Sequence, residues 1–270
     1  MNAELKPHGR RVEPLNLVFT GLGGVVLLFI VAPLAGIFLN CSATEVARTA
    51  AESEVRASIW LTLWVSMAAT LAASVAAVPF AYVLARRDFP LKRLVTGIID
   101  VPVVIPHSAA GIAILGVISR ESMAGRAAGS LGLRLVNSPA GIMAAMAFVS
   151  LPFLINAARD GFAAVPERLE KAAMNLGASP ARVFFTVSLP LAWRAVLSGL
   201  ILMWARGLSE FGAVVIVAYH PMITPVLIFE RFGAFGLKFA RPVAAVFIII
   251  CLAVFIALRL LASERDHARP

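Results

Sequence analysis

The sequence predicts an all-α polytopic membrane protein with six transmembrane helices and both termini in the cytoplasm. Three observations carry this. Of its 270 residues, 60% are hydrophobic and 14% charged, where soluble domains carry about 25% charged residues. The apolar residues gather into runs long enough to cross a bilayer, which takes roughly 20 residues of helix. The 24 lysines and arginines sit at the ends of those runs and form no aromatic-interleaved patch. The net charge of +9 therefore points to a lipid bilayer and away from nucleic acid.

The runs are 17–39, 59–85, 94–118, 140–157, 196–219 and 243–261. Together they make one transmembrane domain over 17–261, between short tails at 1–16 and 262–270. The first run follows Lys6, Arg10 and Arg11 as a signal peptide would. It is longer than a signal-peptide apolar region, and no small-residue cleavage site follows it, so it is expected to stay as a span. Six crossings put both tails on one side. The segments on that side (1–16, 86–93, 158–195, 259–270) hold 3, 4, 5 and 3 basic residues, 15 in all. The opposite loops (40–58, 119–139, 220–242) hold 2, 3 and 3, or 8 in all. The positive-inside rule thus places the tails and the 158–195 loop in the cytoplasm.

Within the spans, Ala68, Ala69, Ala72, Ala73, Ala76 and Ala77 allow close helix packing. The third span carries Pro102 and Pro106, which remove backbone donors and kink it. His107 and Ser108 beside the kink suggest a pathway wall, with a plain packing kink as the alternative. Asp100, Arg206 and Glu210 are the ionisable residues inside spans, where a charge costs at least ~2.5–3.5 kcal/mol on insertion scales. Arg206 and Glu210 lie four apart and suit an ion pair. That pair either fixes the bundle or, with Ser209 between its members, belongs to a pathway wall or gate. Asp100 lies near the cytoplasmic end of its span, within reach of water or a basic loop residue.

No catalytic constellation is legible. The histidines are His8, His107, His220 and His267, and no H-E-x-x-H, G-x-S-x-G or paired-carboxylate pattern includes them. Cys41 and Cys251 are far apart and have no metal-ligand spacing, so no metal is expected. A phosphate-cradling G-x-x-x-x-G-K-[ST] loop is missing, since none of Lys6, Lys92, Lys171 and Lys238 follows a glycine. The chain is expected to hold no cofactor, and energy for uphill transport would come from elsewhere.

One charged island interrupts the apolar sequence, at 167–190. Leu169, Ala172, Ala173 and Leu176 recur at i, i+3, i+4 and i+7, one narrow stripe on a short helix. Gly177 stands where a left-handed residue ends a helix. Ser179 and Pro180 then restart one, as N-cap and first residue. Leu189-Pro190 leads into the next apolar run. Helix, glycine hinge and helix read as a docking element held out of the bilayer.

This island resembles the E-A-A-x3-G-x9-I-x-L-P loop of importer-type ABC transporter permeases. Here it reads Lys171-Ala172-Ala173, three residues, Gly177, nine residues, then Val187-Ser188-Leu189-Pro190. Lys171 stands where the family has glutamate, with Glu170 just before it, and Val187 replaces isoleucine. Arg206-Gly-Leu-Ser-Glu-Phe-Gly-Ala213, Tyr219-His-Pro-Met-Ile-Thr-Pro225 and Glu230-Arg-Phe232 resemble the molybdate/tungstate branch, and sulfate permeases carry a similar E-F-G segment. The resemblance implies a homodimer in a bacterial or archaeal cytoplasmic membrane. It also implies two ATPase subunits that bind ATP and magnesium, an extracytoplasmic oxyanion-binding protein, and alternating access. Glu170, Lys171, Ala172, Ala173, Gly177, Leu189 and Pro190 would form the ATPase-coupling loop. Pro106, His107, Arg206, Ser209 and Glu210 are the pathway or gate candidates. The extracytoplasmic loops carry 8 basic residues against 5 acidic ones (Glu45, Glu52, Glu54, Glu121, Glu230), a weak preference for an anion. An ion-coupled carrier working through Asp100 and Glu210 would instead show broken helices in matching halves. The sequence displays only one proline-interrupted span.

Overall fold

The computed structural model describes residues 14–263, and all regular structure among them is helical. The tail residues Lys6, His8, Arg10, Arg11, Arg265, His267 and Arg269 lie outside the described residues. The chain opens with α1 (Pro14–Leu39) and the short α2 (Ala43–Ala51), then the 34-residue α3 (Ser53–Arg86). Next come α4 (Lys92–Val104), α5 (His107–Ile118) and α6 (Met123–Ser130), followed by α7 (Pro139–Ala164). The charged island forms α8 (Glu167–Asn175) and α9 (Pro180–Val183). One π turn (Phe184–Ser188) joins α9 to α10 (Leu189–Leu208), and α11 (Gly212–Val217), α12 (Thr224–Phe235) and α13 (Leu237–Ser263) complete the order.

Among the described residues, five helices are long and apolar enough to cross a membrane, and α4 with α5 makes a sixth if the bent pair is one span. Local chemistry sets several boundaries. Ser138 caps α7 by accepting from the Gly141 amide, with Pro139 as first residue, which needs no amide donor there. Ser42 and Glu45 form a reciprocal capping box at the start of α2. The amphipathic α2 then packs on α13.

α7 is the axis of the bundle, with α3 and α10 as its main neighbours. Small residues face each other across the α7–α10 contact, Gly161 against Ala195 and Gly199 against Ala157, as close packing in lipid requires. Ala69, Ala77 and Ala81 of α3 are buried, whereas Ala72 and Ala76 face outward, so about half of the alanine-rich stretch serves the core. One half of the core gathers Leu84, Leu154, Phe162 and Val196. The other gathers Val65, Ile142, Met146 and Val214. A smaller patch of Val55, Ile59, Leu227 and Val243 joins α3, α12 and α13. The hydroxyls of Thr62, Ser66 and Thr70 are buried along α3, and each donates to the carbonyl four residues earlier, at 2.6, 2.7 and 2.9 Å. They are thereby satisfied without water. Thr62 Oγ1 also accepts the Thr224 amide at 2.8 Å, fixing the start of α12. Arg231 of α12 reaches Glu52 and Glu54 at 2.6 and 2.8 Å. α1 packs chiefly on α13 and leaves its apolar sides exposed along most of its length.

Two spans differ from the continuous runs read in the sequence. The 94–118 run is two helices bent by 113°. Pro106 is the cause: the residue before a proline is driven out of the helical region, and Ile105 is extended at φ −71, ψ 148. The 196–219 run starts earlier, with α10 at Leu189, and stops at Leu208, and a separate α11 follows. No proline makes that second break.

Candidate functional site

Two clusters of polar side chains stand out, one at each of the places the sequence singled out. The first surrounds α8. Gly177 has φ +87, a left-handed conformation that costs glycine little, and its amide bonds the Met174 carbonyl at 2.9 Å while the Ala178 amide bonds Ala173 at 3.1 Å. Ser179 accepts from the Arg182 amide and Pro180 opens α9. The helix, left-handed glycine and second helix follow the sequence pattern. The ends of the apolar stripe face out, Leu169 being 42% exposed and Leu176 90%, and Met174 next to the stripe is 43% exposed. Ala172 is exposed beside them and Ala173 half-buried. Lys171 also points outward and pairs only with Glu167 one turn earlier, at 2.8 Å. Pro190 is exposed and Leu189 half-buried where α10 begins.

Glu170 departs from its neighbours. It is 5% exposed and turns back into the bundle. Arg86, the last residue of α3, holds it through two nitrogens: Nε lies 2.9 Å from Oε2, and Nη2 lies 2.8 Å from Oε1. The same Nη2 donates to the Val165 carbonyl at the end of α7, at 2.8 Å. Ser188, fully buried at the end of the π turn, donates to Oε1 at 2.7 Å. Tyr82 adds a longer bond to Oε2 at 3.3 Å, and its ring packs edge-on against Phe162 and Phe184. Burial alone would raise the Glu170 carboxyl. The hydrogen bonds from Arg86 and Ser188 and the arginine's charge outweigh it and hold it below the usual carboxylate range.

The second cluster lies where the two broken spans meet. Pro106 ends the extended link and His107 begins α5. Across from it, Arg206 is in the last turn of α10, and Ser209 and Glu210 occupy the break before α11. The predicted Arg206–Glu210 pair is present, with Nη2 2.9 Å from Oε2. Glu210 is fully buried. Its Oε2 also lies 3.3 Å from His107 Nδ1, and Arg206 Nη2 is 2.8 Å from His107 Nε2. The approaches to Oε2 are charge contacts, and no donor is aligned with that buried oxygen as a hydrogen bond. The other carboxylate oxygen accepts the Ala213 amide at 2.8 Å. That bond satisfies one of the free amides in the first turn of α11, from the residue before its N-cap, Phe211. Ser209 accepts from Arg206 Nη1 at 3.4 Å and is exposed. Glu210 therefore touches three pieces, α10, α11 and α5. The helices α5 and α11 are in near contact: a Cβ on Gly212 would lie 2.7 Å from that of His107, and one on Gly111 would lie 2.9 Å from the Ala213 carbonyl. Both His107 and Arg206 keep partly open sides. Asp100 is apart from this cluster. It accepts from Asn156 of α7 at 2.7 Å, a neutral partner in the bundle where a basic loop residue or water was expected.

Sequence reasoning missed three contributors. Arg86, Tyr82 and Ser188 carry no motif of their own, and their partner lies 84, 88 and 18 residues away. The α10–α11 break had a signal, since Ser209-Glu210-Phe211-Gly212 places an amide-accepting side chain before a fresh helix.

Residues 77–265 match the family described as binding-protein-dependent transport system inner membrane component. The chain belongs to that family. This permease is 42% identical over 252 residues to the molybdate/tungstate transport system permease protein WtpB of Thermococcus kodakarensis, covering 92% of this chain and 96% of that one. It is equally identical over 260 residues to the WtpB of Pyrococcus furiosus, 42%, covering 96% and 99%. A probable sulfate transport permease of Nephroselmis olivacea is more distant, 34% over 190 residues, covering 68% and 67%. Among solved structures, a bacterial ABC transporter that imports alginate shares the fold, with TM-score 0.73 at 13% identity over 96% of this chain and 98% of that one. The MetNI methionine transporter does so at TM-score 0.61, 15% identity, 80% of this chain and 96% of that one. The permease is thus a multi-pass membrane subunit of an ABC importer.

Proposed function

We propose that this permease forms the translocation path of an importer for a tetrahedral oxyanion, molybdate or tungstate, by alternating access. The observation that carries the coupling half of this reading is the α8–Gly177–α9 element. Its apolar side chains Leu169, Met174 and Leu176 stand exposed on a helix too short to be stable alone. Such a surface is suited to a groove on a separate ATPase subunit. The complex is a homodimer of this chain with two ATPase subunits, which hold ATP and magnesium, and an extracytoplasmic binding protein. The charge asymmetry sets α8 and both tails in the cytoplasm. ATP-driven closure of the ATPases moves the two α8 elements together and opens the spans outward.

The substrate assignment follows the two relatives identical at 42%, both named molybdate/tungstate permeases. The path itself serves passage and not tight capture. Arg206 is the cation best placed to meet an anion, and Glu210 neutralises it. Selectivity therefore rests with the binding protein, and the His107–Arg206–Glu210 cluster works as a gate that holds α5, α10 and α11 together. The test is uptake into proteoliposomes holding the permease, its ATPase and its binding protein. ATP-dependent accumulation of radiolabelled molybdate or tungstate, with sulfate excluded, is the expected result. Accumulation driven by an ion gradient without ATP, or failure of the permease to co-purify with an ATPase subunit, would refute the reading. Tight molybdate binding by the permease alone in calorimetry would refute the passage-only path.

A further inference from the structure

We infer that Glu170 and Arg86 are positioning residues that join the docking helix rigidly to α3 and α10, so that α8 cannot move without both. The inference rests on the proposed docking of α8 by an ATPase and deepens it. An acid on an exposed docking helix is ordinarily expected to face water or the partner. Here the geometry is the reverse: every polar contact of Glu170 runs to this chain's own bundle.

Four segments meet at one ion pair. Arg86 ends α3, Val165 closes α7, Glu170 lies one turn into α8, and Ser188 ends the π turn that leads into α10. Both carboxylate oxygens are occupied, Oε1 by Arg86 and Ser188 and Oε2 by Arg86 and Tyr82. The guanidinium is shared, through Nε and Nη2, between the carboxylate and the Val165 carbonyl and lies 6.0 Å from the Tyr82 ring centre. A paired charge buried this well is costly to separate, because either ion alone would be left desolvated. Beneath it, Phe162, Phe184 and Tyr82 pack edge to face. α8 is tied to the bundle chiefly here, for its apolar side chains point away. Motion imposed on its exposed face thus passes through Arg86 to α3, and through Ser188 to α10, which carries Arg206 at its other end.

The test uses the complete transporter in proteoliposomes, with radiolabelled molybdate as the probe. The unmodified complex must first hydrolyse ATP and import molybdate; failure there refutes the docking reading itself and is seen before any variant is made. In a complex with Cys41 and Cys251 replaced by serine, spin labels are placed at the exposed Arg168→Cys on α8 and Arg87→Cys just past α3. Their separation is expected to stay constant between nucleotide-free and ATP-trapped states. Glu170→Gln is expected to lower molybdate imported per ATP hydrolysed by roughly tenfold. Arg86→Lys, which keeps the charge and loses the fork, is expected to lower it less. A label separation that changes between states would overturn the inference. So would a Glu170→Gln complex recovered in smaller amounts with an unchanged ratio of import to hydrolysis, the behaviour of a merely structural contact. The label pair decides the matter in the intact tether even where Glu170→Gln does not assemble.

Discussion

The two buried glutamates among the described residues have the same partner type and different surroundings. Glu170 and Glu210 each pair with an arginine at 2.8 and 2.9 Å. Glu170 is enclosed by donors from α3 and the π turn, and its arginine is itself anchored on a backbone carbonyl. Glu210 shares its arginine with a histidine, and both of those keep open sides. One site has nowhere to go, whereas the other has few bonds to exchange before α5 and α10 part. An ion pair, then, has no fixed mechanical meaning. The number of segments that close over it decides whether it behaves as a weld or as a latch.

The largest expected effect lies beside the weld. Gly177→Val places a β-branched side chain at φ +87, a strain of about 1–3 kcal/mol that the turn relieves by changing its course. Uptake should be abolished while ATP hydrolysis persists and the protein still inserts; normal oxyanion uptake by this variant would remove the hinge from the account. Next is the latch. Glu210→Leu leaves Arg206 without its carboxylate, a loss of at most about 3–5 kcal/mol, reduced because the arginine keeps some exposure. The midpoint of thermal unfolding of the purified complex should fall, and Arg206→Met combined with Glu210→Leu should recover most of it. A double variant no more stable than the single one would mean that the two residues do not act as a pair.

Acid should affect the weld in a definite direction. The folded Glu170 carboxyl is held below its ordinary value of 4.5, so its contribution is complete above that value. It fades as the pH falls through the lower folded value. Amide exchange of residues 167–175, taken relative to the free-peptide rate at each pH, should accordingly be unchanged from pH 7 to pH 5 and should rise only in stronger acid. A rise between pH 7 and pH 5 would contradict the sign. The smallest effect is expected at Arg231, whose partners Glu52 and Glu54 are largely open to solvent. Arg231→Gln should cost about 1 kcal/mol or less in thermal stability and should spare uptake. Large losses there would show that the contrast between closed and open pairs is drawn in the wrong place.

Much of this was legible in the amino-acid order because the signals are local. Apolar runs of bilayer length, proline at 102 and 106, glycine at 177 and the i, i+4 spacing of Arg206 and Glu210 each act within a few residues. The inward turn of Glu170 was not legible. Periodicity ranks apolar residues by face and is silent about one acid among Glu167, Arg168 and Lys171, whose partner is 84 positions back. The break before α11 was hidden for a related reason: 196–219 is apolar throughout except for Ser198, Arg206, Ser209, Glu210 and the closing Tyr219, and the bond to the first turn of α11 is made by one of those polar side chains. The two breaks together give α5 and α11 ends that face each other, an arrangement that a single proline-interrupted span does not suggest.

The π turn at Phe184–Ser188 carries a consequence of its own. Its closing amide, that of Leu189, reaches back five residues to the Phe184 carbonyl, one more than an α turn uses. Each residue of an α-helix advances the azimuth by about 100°. If this turn closed into α geometry with all its residues kept, the surplus residue would rotate the whole of α10 by about that angle. Arg206 would swing away from His107 with every side chain downstream chemically intact. The alignment of the gate is thus indexed by a single surplus residue at the opposite end of the same helix.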